Sequence, residues 1–212
     1  MEWQYAIPTV YTASEQNIQA EMLRLVLVEL RTYLDRTYFK DDVNILAGIN
    51  PVGLAQAPTI DPAGEGWLFA GGSIDNVAVI VCQINHDATQ GVRNLNPHIH
   101  WRKTSNAVGN VTWRLEAKSA PRGGDFGPYV QVGLDVSVPI DTTIDNNTAA
   151  RSLVTDFGLL ELNVALSSLV VFKLTRVASS TDSDTYAADA LAISFDYHYE
   201  VDSLGSRQLR TK

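Results

Sequence analysis

Two histidines in the string PHIHW, residues 97–101, are the most conspicuous chemistry-bearing pair in the chain. On a strand side chains alternate, so His98 and His100 share one face, continued by Arg102, while Ile99 and Trp101 share the other. Imidazoles at that spacing can chelate Zn²⁺, Fe or Cu, as in carbonic-anhydrase-like and cupin-like sites. A third ligand would come from the polar side of the last strand, which offers Asp196, His198 and Glu200. Two features argue against a metal. The bulky apolar residues lie on the face opposite the histidines, so the imidazoles are expected to point away from the core, whereas cupin ligands point inward. The stretch WRKTSNAVGN after the pair also lacks the carboxylate of the cupin pattern. His98, His100 and His198 are therefore read as solvated or interface histidines, with a metal site as the minor alternative and no cofactor.

Other candidate chemistry is thinner. The segment TDSDTYAAD, residues 181–189, presents Asp182, Asp184 and Asp189, oxygen ligands suited to Ca²⁺. It lacks the spacing and central glycine of an EF-hand loop, so a structural turn is expected. His86 and Asp87 are neighbours in a loop, which is weak evidence for catalysis. The chain has no G-x-S-x-G elbow, no P-loop and no helix with paired metal-binding histidines. No catalytic residue is assigned, and no enzyme is expected.

Charge narrows the partners. Sixteen Lys and Arg against 24 Asp and Glu give a net charge of -8, which repels phosphate and anionic lipid. Neither nucleic acid nor membrane is an expected partner; no apolar stretch approaches the ~20 residues that span a bilayer. The N-terminus lacks a basic-then-apolar leader, so no signal peptide is expected. Cys82 is the one cysteine, which excludes an internal disulfide; inside VAVIVCQI it reads as a small buried hydrophobe. These features suit folding in a cytoplasm. The basic tail GSRQLRTK places Arg207, Arg210 and Lys212 as candidates for contact with an acidic partner surface, or as a frayed terminus.

The elements that must position these groups change type once along the chain. Residues 12–39 carry a helical pattern, opened by a possible capping box of Thr12 and Glu15. Leu23, Leu27, Leu30 and Leu34 then form a heptad-like seam, widened by Met22, Val26 and Tyr33. Two readings stay open: the stripe packs along the β domain, or copies of the chain join through it. Residues 48–66, with four glycines and three prolines, read as a linker or extended arm.

Beyond the arm, period-two alternation dominates. Val111, Trp113 and Leu115 share one face, as do the even positions of VQVGLDVSV (130–138) and of LELNVAL (160–166). In LAISFDYHYEV (191–201), Leu191, Ile193, Phe195, Tyr197, Tyr199 and Val201 oppose Ala192, Ser194, Asp196, His198 and Glu200. VAVIVCQI and LVVFKL are continuous, as strands buried on both faces are. The expected fold is mainly β: an antiparallel, jelly-roll-like β-sandwich of about eight strands. Its expected organisation is an N-terminal helical segment at 1–47, the arm at 48–66 and the sandwich at 67–212.

Three strings in this order, PHIHW, GNVTWRLE and DTYAADALAISFDYHYEVDSLGSRQ, resemble a group of tailed-bacteriophage virion proteins. The matching residues are Pro97, His98, His100 and Trp101; Gly109, Val111 and Trp113; Phe195, Asp196, His198 and Tyr199; Asp202, Gly205 and Ser206. The resemblance spans about residues 90–210 and leaves out the N-terminal helix. It implies a β-sandwich component of the virion, made in the host cytoplasm and assembling as a homo-oligomer, often a trimer, with other virion proteins such as the major capsid protein. Capsid decoration (cement) or a place in the head–tail region is preferred. A tail fibre or knob that binds receptor or carbohydrate is the alternative, and a cupin-like metalloprotein is third. No catalytic residue carries over. Trp101 and Trp113 are expected in the core.

Overall fold

The protein is described from a computed structural model, covering residues 20–27, 38–44, 57–85, 88, 92–140, 151–164, 167–180 and 183–201. For 38–44, 92–94, 162–164 and 200–201 the description is of the backbone alone. The chain divides into two units, Met1–Thr37 and Tyr38–Lys212. In the first, residues 20–27 form helix α1. Its apolar residues Met22, Leu23, Leu25, Val26 and Leu27 are all 54–61% exposed. The capping pair Thr12 and Glu15, and the rest of the seam at Leu30 and Leu34, lie outside the described residues.

The second unit begins with β1 (Tyr38–Asn44), β2 (Thr59–Ile60), β3 (Trp67–Phe69), β4 (Asn76–Gln83), β5 (Val92–Lys103) and β6 (Gly109–Ala120). It continues through β7 (Val130–Gln131), β8 (Val136–Ile140), β9 (Ser152–Asp156), β10 (Leu160–Val164), β11 (Leu169–Arg176) and β12 (Ala190–Val201). In the larger sheet, β5 and β12 lie side by side at the centre. The far edge of β5 carries β9 and β10 end to end; that of β12 carries β3 and β1, with β2 beyond β3. The smaller sheet runs β4, β11, β6, with β7 and β8 sharing the far edge of β6. Setting aside the two-residue β2 and merging strands that share an edge position leaves eight positions, ordered 1-8-3-6 and 2-7-4-5. That is the two-sheet jelly roll.

Alternation builds the core. Leu95, Ile99 and Trp101 of β5 face Val111, Trp113, Leu115 and Ala117 of β6, all at 0% exposure. Trp113 meets Phe69 edge-on at 5.1 Å and Trp101 at 5.7 Å, and Phe172 of β11 lies 4.9 Å from Phe195 of β12. Each fully buried ring of this kind contributes about 2–3 kcal/mol by area and each edge-on pair about 1 kcal/mol more. Cys82 is buried in β4, on the core side with Ala78 and Ile80.

Several expectations need correction. Residues 38–44 are strand, not helix, and pair residue for residue with β12, so the β unit starts before residue 67. YFKDDVN has no apolar alternation to announce a strand; the open edge of β12 supplies the hydrogen-bonding partners that make it one. Part of the expected arm is also strand, since β2 pairs with β3. The even-position alternation of 130–138 does not form one strand. Gly133 turns the chain at φ 61°, and Leu134 is left 84% exposed. Strand β11 is buried on both faces from Val170 to Arg176 save half-buried Lys173, as its continuous run suggested, but β4 is not, since Val81 is 48% exposed.

The most consequential departure lies in β12. A bulge between Ala192 and Ser194 shifts the register with β5 by one residue. Before it, Ala190 and Ala192 join the core; after it, Phe195, Tyr197 and Tyr199 do. An unpaired extra residue reverses which parity faces inward. Leu191 is buried but stands apart from the core cluster, and Ile193 at the bulge is 41% exposed.

Candidate functional site

The bulge decides which groups share the outer face of the larger sheet. Downstream of it Asp196 stands directly opposite His98, and Ser194 opposite His100. His98, His100 and Asp196 therefore project from one face, away from the Trp101 side. Their ligand atoms, two imidazole nitrogens and a carboxylate oxygen, all lie within 4.8 Å of one another. Asp196 Oδ1 is 3.0 Å from His98 Nε2 and 3.4 Å from His100 Nε2. Close as these are, neither contact makes a hydrogen bond: Oδ1 is buried and takes none from any described residue.

The sequence expectation that the histidines point away from the core agrees with this alternation, but solvation does not follow. His98 is 7% and Asp196 6% exposed; His100, with 34% of its side chain exposed, is the group that meets solvent. His198 does not join the three ligand atoms. Its ring stacks on His98, centroids 4.7 Å apart and planes 18° off parallel, while His100 meets His98 edge-on at 5.1 Å. Glu200, the remaining sequence candidate, has no described side chain. Of the three possible third partners, register selects Asp196.

The Asp-rich segment has a structural use. Arg176, fully buried at the end of β11, donates from Nε and Nη2 to both oxygens of Asp184 at 3.0 and 2.9 Å. Its remaining hydrogen bonds go to the carbonyls of Phe69, Ala188 and Tyr186. Asp184 Oδ2 also accepts the Thr112 N–H at 2.9 Å, and Asp189 Oδ1 accepts that of Gly71 at 3.1 Å. Both carboxylates are thereby engaged with protein donors, as a structural turn requires; Asp182 lies outside the described residues. Sequence reasoning missed Arg176. Its signal is a charged residue closing the apolar run LVVFKLT, with an aspartate eight positions later.

Elsewhere on the sandwich, burial holds the Lys103 amine below its usual pKa, partly offset by Tyr186 nearby. On the outer face of the smaller sheet, Arg114 chelates Asp135 at 2.8 and 2.6 Å, and this bond raises the guanidinium pKa. Lys118 lies over the rings of Tyr129 and Phe126, and Lys173 over Tyr129. His86, Asp87, Arg207, Arg210 and Lys212, together with Asp202, Gly205 and Ser206 of the matched strings, are outside the described residues. No helix among the described residues is long and apolar enough to cross a membrane.

Neither protein-family models nor curated proteins match the chain. Solved structures similar in part include dimeric latent PorU from Porphyromonas gingivalis, at 9% identity over 78% of this chain and 13% of that one, TM-score 0.40. The infectious bursal disease virus Gx strain structure matches at 9% identity over 79% of this chain and 32% of that one, TM-score 0.40. The CBM22-1 xylan-binding domain from Paenibacillus barcinonensis Xyn10C matches at 12% identity over 79% and 86%, TM-score 0.34. This chain thus spans 13% and 32% of the first two chains. Likeness at these TM-scores carries no weight for ancestry or role.

Proposed function

We propose that the chain is a non-enzymatic structural subunit of a tailed-bacteriophage particle. In this reading it assembles as a homo-oligomer and decorates or cements the capsid, or sits in the head–tail region. The observation that supports this reading is the convergence of the three strings that carry the resemblance. They lie on β5, β6 and β12, and their Trp101, Trp113 and Phe195 meet in one aromatic core. Strings far apart in the chain thus belong to a single folded unit, as a resemblance between whole domains requires. Self-association draws support from the leucine seam, of which Leu23 and Leu27, flanked by Met22 and Val26, lie on α1. A stripe of that kind is stabilised by packing against another surface.

Two rival readings lose support. The carbohydrate module would use exposed aromatics and the Asp-rich loop with Ca²⁺, and in that loop Asp184 and Asp189 are engaged with Arg176 and Gly71. A cupin-like enzyme needs ligands inside the sandwich, and His98 and His100 lie on its outer face. Light scattering of the full chain is expected to give a multiple of 23.2 kDa, and Leu23→Ser/Leu27→Ser to lower it. Immunogold labelling with antibody to the chain is expected to decorate purified particles. A monomer that labels no particle overturns the proposal.

A further inference from the structure

We infer that His98, His100 and Asp196 form a binding site for a divalent transition-metal ion of the zinc class, clamping β5 to β12. The geometry is that of a three-ligand site. Zn²⁺ holds nitrogen and oxygen ligands at about 2.1 Å, which sets ligand-to-ligand edges of roughly 3.4 Å in a tetrahedron. The same bond length gives edges of roughly 3.0 Å between adjacent ligands of an octahedron. The two edges from Asp196 Oδ1, 3.0 and 3.4 Å, fall on those values, and all three atoms lie within 4.8 Å of one another. An ion held by all three would keep these two edges and draw the imidazole nitrogens to within about 3.4 Å of each other.

The second, independent observation is the state of Asp196. Its Oδ1 is buried without a hydrogen bond from any described residue, although two imidazole nitrogens converge on it. Buried acceptors are almost always satisfied, and a carboxylate oxygen is among the costliest to leave bare. An imidazole that hydrogen-bonded Asp196 would aim its N–H at the oxygen. Nitrogens that approach without that alignment leave the oxygen unsatisfied, and a cation shared with them would satisfy it.

Donor chemistry sets the class of ion. Two imidazoles and one carboxylate suit Zn²⁺, and next Fe²⁺, Co²⁺ or Ni²⁺; Mg²⁺ and Ca²⁺ prefer shells made of oxygen. Three protein ligands leave a position open, and His100 is the ligand that reaches solvent, so water completes the shell there. The His198 ring stacked on His98 restrains the orientation of that ligand, as outer-shell groups do in metal sites. The inference rests on the sheet's geometry and stands or falls separately from the virion reading.

The test uses the untagged full chain, freed of metal by chelator and dialysed. Zinc chloride is titrated in by calorimetry while the melting temperature is followed. Saturable binding of one ion per chain is expected. At a hundredfold excess over Kd the melting temperature is expected to rise by about 5–10 °C. His100→Asn and Asp196→Asn should each weaken binding by about 100-fold or more, and Mg²⁺ and Ca²⁺ should not compete. Asp135→Asn, which removes a carboxylate on the other sheet, should bind Zn²⁺ as the parent does. His100 is partly exposed, so His100→Asn keeps the fold and decides the matter even if Asp196→Asn does not fold. No saturable binding up to about 100 μM Zn²⁺, far weaker than structural zinc sites hold the ion, overturns the inference. So does an unchanged isotherm in His100→Asn.

Discussion

Replacing Arg176 with methionine tests what holds the end of the sandwich together. The guanidinium and its partner carboxylate have 0% and 2% of their side chains exposed. Removing the cation leaves Asp184 charged and buried with the Thr112 N–H as its remaining donor, and takes a donor from the carbonyls of Phe69, Ala188 and Tyr186. Breaking one side of a buried pair costs about 3–5 kcal/mol, and each orphaned carbonyl about 1 kcal/mol. The losses share one cavity and do not add in full, so about 4 kcal/mol is expected for Arg176→Met. Asp184→Leu should cost a similar amount, because it strands the opposite charge. The double variant Arg176→Met/Asp184→Leu buries no uncompensated charge and should cost about 2–4 kcal/mol, well below the sum of the single changes. Urea denaturation of all four proteins, read as midpoint and slope, measures this. The reasoning is refuted if Arg176→Met stays within about 1 kcal/mol of the parent, or if the double variant equals the sum of the two.

Three further changes probe separate terms. Burial lowers the Lys103 pKa below 10.5, so between the depressed value and 10.5 the unfolded chain holds more protons and stability rises with pH. Lys103→Met should flatten that rise in melts taken across alkaline pH; an unchanged slope would assign it to another group. Trp101 Nε1 donates to Thr155 Oγ1 at 2.9 Å inside the core, and Thr155→Val should cost about 1–2 kcal/mol in urea by orphaning that N–H. Gly109 sits at φ 144°, where a Cβ would come within 2.8 Å of the Thr185 and Tyr186 backbone. Gly109→Ala is expected to lose about 2–4 kcal/mol by strain and overpacking, and a denaturation midpoint equal to the parent's would remove that account.

What the letters disclosed follows from which forces are local. Alternation in PHIHW and VTWRLEA is local, and it put Trp101 and Trp113 in the core and the histidines opposite. Strand β1 was not legible, because YFKDDVN becomes a strand only through the open edge of β12. The bulge at 192–194 was not legible either. LAISFDYHYEV alternates without a break, and the extra residue shows only when Ala192 is set against Trp101 and Ser194 against His100. The sequence offered Asp196, His198 and Glu200 as equal partners for the histidine pair; register, a property of two strands, chose among them. Arg176 reads as a surface residue until a loop eight positions on returns to meet it.

The bulge also explains how one set of strings serves two ends. A β12 in uninterrupted register from Ala190 would turn Phe195, Tyr197 and Tyr199 outward and carry Asp196 and His198 into the aromatic core. A bare carboxylate there would cost more than the two alanines upstream could return by burial. One additional residue lets small Ala190 and Ala192 stand beside Phe69 and Trp101 on the neighbouring strands, where the sheets are filled by large rings. The same residue lets Phe195 and Tyr197 fill the space against Phe172 further along. The change of parity is thus set by packing volume inside the sandwich, and the grouping of Asp196 with His98 and His100 outside is its consequence. Core and cluster are therefore coupled through the backbone: a change that removed the bulge would dismantle both, whereas one confined to His100 would touch the cluster alone.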